Sequence, residues 1–310
     1  SFPTRRSSDL TTPLSYDEHR DLTYAYGAAV KSVDPDALIL APSDFGWTAY
    51  FYSALDASAG GAWGENPQDR LAHGNIPFIE WYLQQMQAYE TAHGVRILDY
   101  VDEHFYPQNG VTLNEDVSPA MQALRLRSTR SLWDPTYHDE SWIDDKVMLI
   151  PRMKGWVTAN YPGTKIALTE YNWGALSHIN GALAQADILG IFGREGLDLA
   201  TLWSPPTATQ PGAFAFRMYL DYDGQGSAFG DTRVRAVSTN QAVLSAYAAE
   251  RSSDGAITIM VINKSFADQN NVSLSLAGFT PESVAEVWRY SSANLSQIVS
   301  DTAPISGSTV

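Results

Sequence analysis

The chain has 310 residues, with 20 Lys and Arg against 35 Asp and Glu, a net charge of −15 and a pI near 4.7; this balance disfavours nucleic acid and anionic membranes as partners and suits a neutral polymer. At 44% hydrophobic and 12% aromatic it has core to spare and room for two domains. The absence of Cys excludes disulfides, thiolate nucleophiles and cysteine-held zinc, and no apolar run reaches the roughly 18 residues of a membrane span.

The first ten residues, with Arg5 and Arg6 among polar neighbours and no periodicity, read as a foreign leader. From about Thr11 the pattern becomes regular. Ser15 with Glu18 three residues on is a capping-box signature for a helix over 16–33, stopped by Asp34 and Pro35. Ala37 to Pro42 is a buried strand that delivers Asp44, Phe45, Gly46 and Trp47 to the following loop. Trp47 is a candidate sugar platform there, packing beneath the loop being the alternative. Residues 51–74, rich in Gly, Ala, Asn and Asp, read as a long surface excursion. Apolar residues recur at helical spacing over 76–90, and Pro77 suits a first turn. In the strand expected over 95–106, Asp102, His104 and Tyr106 share one face near the C-terminal end. The polar stretch 114–145 fits no metal-ligand motif and is expected as a solvated excursion; residues 146–161 follow as an amphipathic helix.

The stretch Lys165 to Gly174 anchors the chain. Ile166, Leu168 and Glu170 fall on one face of a period-2 strand, so the pattern carries Glu170 inward at the strand's C-terminal end, which in a parallel barrel is the active-site face. A carboxylate there beside Tyr171 and Trp173 has the form that glycoside hydrolysis requires, an oxygen nucleophile with flat apolar surfaces for sugar C–H faces. A Glu that simply ends an ordinary strand is the alternative. A helix over 180–195 stopped by Gly196, then a strand 197–203 ending on Trp203, continue the strand–helix alternation of an α/β barrel. Four barrel strands are visible, where closure needs about eight. Beyond about Arg235 the strands 256–263, 271–276 and 283–290, separated by turns, have the signature of a β-sandwich.

Five segments, Leu168–Gly174, Asp99–Pro107, Gly193–Trp203, Ser43–Tyr50 and Pro211–Arg217, together resemble glycoside hydrolase family 44 from about Thr11 to the C-terminus. The resemblance implies a retaining endo-β-1,4-glucanase or xyloglucanase of the clan A (β/α)8 type. It places the catalytic nucleophile at Glu170, orienting groups at His104 and Tyr106, and sugar-binding aromatics at Trp47, Tyr171, Trp173 and Trp203. The family's acid/base Glu lies in an Asn-Glu-Pro sequence, whereas this chain has only Glu65-Asn66-Pro67, in a different order. The expectation is therefore an N-terminally truncated enzyme: about half of a (β/α)8 barrel over 11–235, a β-sandwich over 236–310, and little or no hydrolysis by the fragment alone. No metal or organic cofactor is implied, and calcium is left open. The expected partner is an extracellular β-glucan met by a monomer, since polysaccharides do not cross membranes. Two alternatives stand beside this reading: a non-catalytic carbohydrate-binding protein, and another clan A hydrolase acting on xylan or mannan.

Overall fold

Ser15 opens the first helix as its sequence requires: its hydroxyl accepts from the Glu18 amide, and the Glu18 carboxylate accepts from the Ser15 amide at 2.8 Å. The computed structural model describes residues 13–59, 65–266, 272–307 and 309; the leader read at 1–10 lies outside them. In chain order the elements are α1 (Tyr16–Val33), β1 (Leu40–Asp44), α2 (Ala54–Ser58), α3 (Gln68–Ala72), α4 (Phe78–His93) and β2 (Tyr100–Glu103). Next come α5 (Pro119–Ser128), α6 (Leu149–Asn160), β3 (Lys165–Tyr171), α7 (Ile179–Glu195), β4 (Leu199–Leu202) and α8 (Pro211–Leu220). Five strands close the chain: β5 (Thr232–Val234), β6 (Leu244–Arg251), β7 (Ala256–Asn263), β8 (Val284–Ser291) and β9 (Asn294–Pro304).

The chain divides into two units. The first, residues 1–106, 133–172 and 197–203, holds a four-stranded sheet in the order β1-β2-β3-β4 with every neighbouring pair parallel. Parallel neighbours need long crossovers, and the intervening segments are long enough to carry helices. Val101, Ile166, Ala167 and Leu168 are almost fully buried, the behaviour of strands covered on both faces. α4 contributes Phe78, Ile79, Tyr82, Leu83 and Met86 to the same core, and α6 contributes Ile150, Met153 and Val157. Two register shifts interrupt the ladder near strand C-termini, between Pro42 and Asp44 and between Leu168 and Tyr171. The strand expected over 95–106 shortens to four residues, because the His104 and Phe105 amides leave the regular ladder for the Asp44 and Glu170 carbonyls at 3.1 Å.

The second unit, residues 107–132, 173–196 and 204–310, combines α5, α7 and α8 with two antiparallel sheets, β5-β6-β7 and β8-β9. Its division from the first unit therefore does not coincide with the compositional change near residue 235. Its interior holds a buried ion pair, Lys264 Nζ to Asp187 Oδ2 at 3.1 Å, to which Thr129 and Tyr247 add hydroxyl donors at 2.7 and 2.8 Å. The strand expected at 271–276 is not formed over its described residues, which supply only an isolated bridge from Ser275 to Thr309. The solvated excursion expected over 114–145 is corrected in part: Ser118 caps α5, Pro119 fills its first turn, and Arg125 is fully buried. Arg125 is held there by acceptors its sequence pattern does not reveal, the Trp173, Asn114 and Asp116 carbonyls and Asn180 Oδ1, at 2.7–3.0 Å. Among the described residues no helix is long and apolar enough to cross a membrane.

Candidate active site

The C-terminal ends of β1, β2 and β3 bring one group of polar side chains together, and the chain's turns there explain how. Ser43 sits at the β1 register shift with a φ of 58°, a local distortion that re-aims a strand side chain, and its hydroxyl reaches Asp102 Oδ2 at 2.6 Å. After β2, Tyr106 turns its hydroxyl to Glu170, donating to Oε2 at 2.8 Å. His104 Nδ1 approaches the same oxygen at 3.3 Å, and its Nε2 lies 3.2 Å from Thr169 Oγ1. Thr169 in turn donates its amide and hydroxyl to Asp102. The structure thus brings Glu170, His104 and Tyr106 into one constellation, and adds Asp102, Thr169 and Ser43 behind it.

The electrostatics suit a held anion. Burial first, and then the hydrogen bond and charge of Glu170, push the Tyr106 phenol well above its ordinary range, so it stays a donor at any working pH. Both described contacts converge on Oε2. Oε1 accepts no hydrogen bond from the described residues, and the side chain is 25% exposed. A carboxylate tethered through one oxygen with the other open is arranged to attack an electrophilic carbon. On the opposite face of β2, Glu103 is fully buried with neither oxygen paired; burial, with Asp44 and Asp102 nearby, raises its acid well above the usual carboxylate range.

The aromatic residues divide. Trp203 follows β4, whose Leu202 pairs with Tyr171, and is 49% exposed, as a sugar platform needs to be. Trp47, Tyr171 and Trp173 are 8%, 1% and 2% exposed, which corrects their reading as platforms. Trp47 packs edge-on against Phe51 at 4.8 Å under Arg152. Tyr171 belongs to the buried end of β3. Trp173 lies in the second unit, its indole N–H donating to Ser128 Oγ at 3.0 Å. In their place stands a residue the sequence reading passed over: Phe45, 74% exposed, with its ring 6.3 Å from that of Tyr106. A Phe exposed two residues past a register shift is a loop signal, and nothing in the hydrophobic pattern separates it from Trp47.

Residues 10–109 match the model of glycoside hydrolase family 44. Endoglucanase A of Paenibacillus lautus is 36% identical over 273 residues, 84% of this chain and 38% of that protein. Two solved structures share the fold: CelM2, a bifunctional glucanase-xylanase from a metagenome library, with 48% identity and a TM-score of 0.94 over 97% of this chain, and a Paenibacillus polymyxa xyloglucanase solved with xyloglucan, with 29% identity and a TM-score of 0.84 over 96%. The chain spans 58% of each of these two structures. With the family model, a sequence relative and two structures in agreement, the chain belongs to glycoside hydrolase family 44.

Proposed function

We propose that the protein to which this chain belongs is a retaining, endo-acting glycoside hydrolase that cleaves β-1,4-glucan backbones, cellulose-like or xyloglucan, through a covalent glycosyl-enzyme on Glu170. The observation that carries the reading is the tethering of Glu170 Oε2 by Tyr106 and His104 while Oε1 stays open. Retaining hydrolysis needs such a carboxylate on one face of the sugar and a second carboxyl roughly 5–5.5 Å away that first protonates the leaving oxygen and later activates water. Exposed Trp203 and Phe45 supply flat apolar surface for sugar rings. The four parallel strands are read as the C-terminal half of a (β/α)8 barrel, with the later antiparallel strands as a β-sandwich, and the polymeric substrate places the enzyme outside the cell. The glucanase-xylanase named above, at 48% identity, supports xylan as a second substrate.

No Asn-Glu-Pro sequence occurs in these 310 residues. The chain by itself is therefore expected to hydrolyse carboxymethylcellulose poorly, since general acid–base help is typically worth ~100- to 10,000-fold. A 2-deoxy-2-fluoro cellobioside with a dinitrophenolate leaving group needs no acid, and it is expected to label the chain once, at Glu170, as read by peptide mass spectrometry. Labelling elsewhere, or none, would count against the nucleophile and favour a binding protein.

A further inference from the structure

Behind Glu170 the polar groups form a line that ends on a buried charge. Asp102 is 1% exposed, and its carboxylate accepts from the Ser43 hydroxyl at 2.6 Å, the Thr169 amide at 3.0 Å and the Thr169 hydroxyl at 2.5 Å. An oxygen–oxygen approach of 2.5 Å requires a proton between the atoms. Thr169 has one hydroxyl proton and places it on Asp102, so towards His104 Nε2, 3.2 Å away, it offers only lone pairs. Nε2 must therefore carry a proton. The other ring nitrogen, Nδ1, faces Glu170 Oε2 at 3.3 Å, where two unprotonated atoms would repel.

We propose that Asp102 and Thr169 are positioning residues that lock His104 with a proton on Nε2, so that one proton is held between His104 Nδ1 and Glu170 Oε2 in the resting protein. The catalytic consequence rests on the reading of Glu170 as the nucleophile. Attack uses Oε1: the bond from Oε1 to the anomeric carbon forms as that carbon's bond to the leaving oxygen breaks, and the electron pair departs with the leaving group. The proton on Nδ1 is not transferred; it then points at the carbonyl oxygen of the new ester. In the return step it stabilises the carboxylate as that group leaves. Tyr106 donates to the same oxygen beside it.

The other charged groups around the ring are accounted for. From β3 the ring faces Thr169 and Glu170, and Asp102 of β2 reaches it only through Thr169. From β1 it meets the Asp44 carbonyl through its amide, while the Asp44 carboxylate is turned to His19 of α1 at 3.5 Å and to the Phe45 amide at 2.9 Å. Only Glu170 approaches Nδ1 among the described residues.

The test is long-range ¹H–¹⁵N spectroscopy of the imidazoles in the full 310-residue chain, with His104 assigned by its loss in His104→Gln. The expected pattern is a protonated Nε2 between pH 5 and 8 in the wild type. It should persist in Thr169→Ser, which keeps the hydroxyl, and be lost in Thr169→Val and weakened in Asp102→Asn. Release of the fluoro-sugar adduct by azide should slow about ten-fold in Thr169→Val, the order expected when a charged hydrogen bond to the departing carboxylate loses its orientation, and recover in Thr169→Ser. An unprotonated Nε2 in the wild type, or a spectrum identical in Thr169→Val, overturns the relay. Equal release rates in Thr169→Val and Thr169→Ser overturn its catalytic consequence. If no protein is labelled, wild type included, while the ring pattern holds, the relay stands and the nucleophile reading falls.

Discussion

Replacing Tyr106 with Phe removes one hydroxyl and leaves the ring, which is nine-tenths buried, in place. The lost bond is the 2.8 Å donation to Glu170 Oε2. A hydrogen bond to a charged group is worth about 1.5–3 kcal/mol, or roughly 10- to 150-fold in a rate that depends on it. That dependence is unequal across the two half-reactions. When Glu170 attacks, its charge is being lost, so a donor on Oε2 favours the ground state and its removal partly compensates itself. When the glycosyl-enzyme breaks down, the carboxylate is the leaving group and its charge is growing, so the full value applies. Tyr106→Phe should therefore slow breakdown about 10- to 150-fold and formation several-fold less. The assay labels the chain with the fluoro-sugar, removes excess reagent, and follows release of the adduct by azide, a nucleophile that needs no general base. Release as fast as in the wild type, or formation slowed more than release, would refute the reasoning.

Three further outcomes are expected. Lys264→Met strands the Asp187 charge in the second unit's interior, where the pair is 2% and 1% exposed, and should cost about 3–5 kcal/mol in urea unfolding; the double variant Asp187→Leu/Lys264→Met should regain most of it. Gly190→Ala sets a methyl into the Tyr247 ring and should destabilise by about 1–3 kcal/mol, seen as a lower thermal midpoint. For Glu103, burial raises the folded-state acid above its unfolded value, so the folded state holds a proton that the unfolded chain releases as pH climbs past the ordinary carboxylate range. Its stability contribution is thus present at low pH and lost as pH rises towards the raised value. Glu103→Gln removes that titration, and its stability relative to wild type should improve by up to about 1.4 kcal/mol per pH unit between pH 5 and 7 in urea titrations at each pH; a flat difference would show that Glu103 is ionised in the fold.

What the sequence made legible follows from which forces are local. The capping box at Ser15 and Glu18, the helix 16–33 and the stop at Gly196 emerged as read, because caps and backbone conformation are decided within a few residues. β7 emerged over 256–263 because its apolar, β-branched-rich run is nearly continuous. β6 and β9 carry weaker signals: Ala-rich 244–251 has no β-branched residue and 294–304 has only Ile298, Val299 and Thr302 among mostly polar neighbours, and both owe their ladders to the neighbouring strands β7 and β8. Arg125 was misread for the same kind of reason, since all four of its acceptors are nine or more residues away in sequence.

The candidate site shows the same division within a few residues. Period-2 alternation grouped Asp102, His104 and Tyr106; the last two do meet Glu170, although both lie past the end of β2, while Asp102 meets Thr169 and Ser43. Parity cannot say how much of a ring remains in water. Trp47, Tyr171 and Trp173 carry the right chemistry for a sugar face and are covered by it being spent on packing, whereas Phe45 and Trp203 keep theirs exposed. The distinction depends on what lies across the fold: Phe51 and Arg152 against Trp47, Ser128 and Arg125 against Trp173. Aromatic residues near a strand-end carboxylate are therefore a sound pointer to the chemistry of the site, while the choice among them belongs to tertiary packing. Substituting Phe45 or Trp203 by Ala should weaken binding of a soluble β-glucan oligomer in calorimetry, each by about 1 kcal/mol or more. The same change at Trp47 should show first as lost stability, about 3–5 kcal/mol for a buried Trp. If instead Trp47→Ala left the unfolding midpoint unchanged and abolished binding, the burial argument for these aromatics would be wrong.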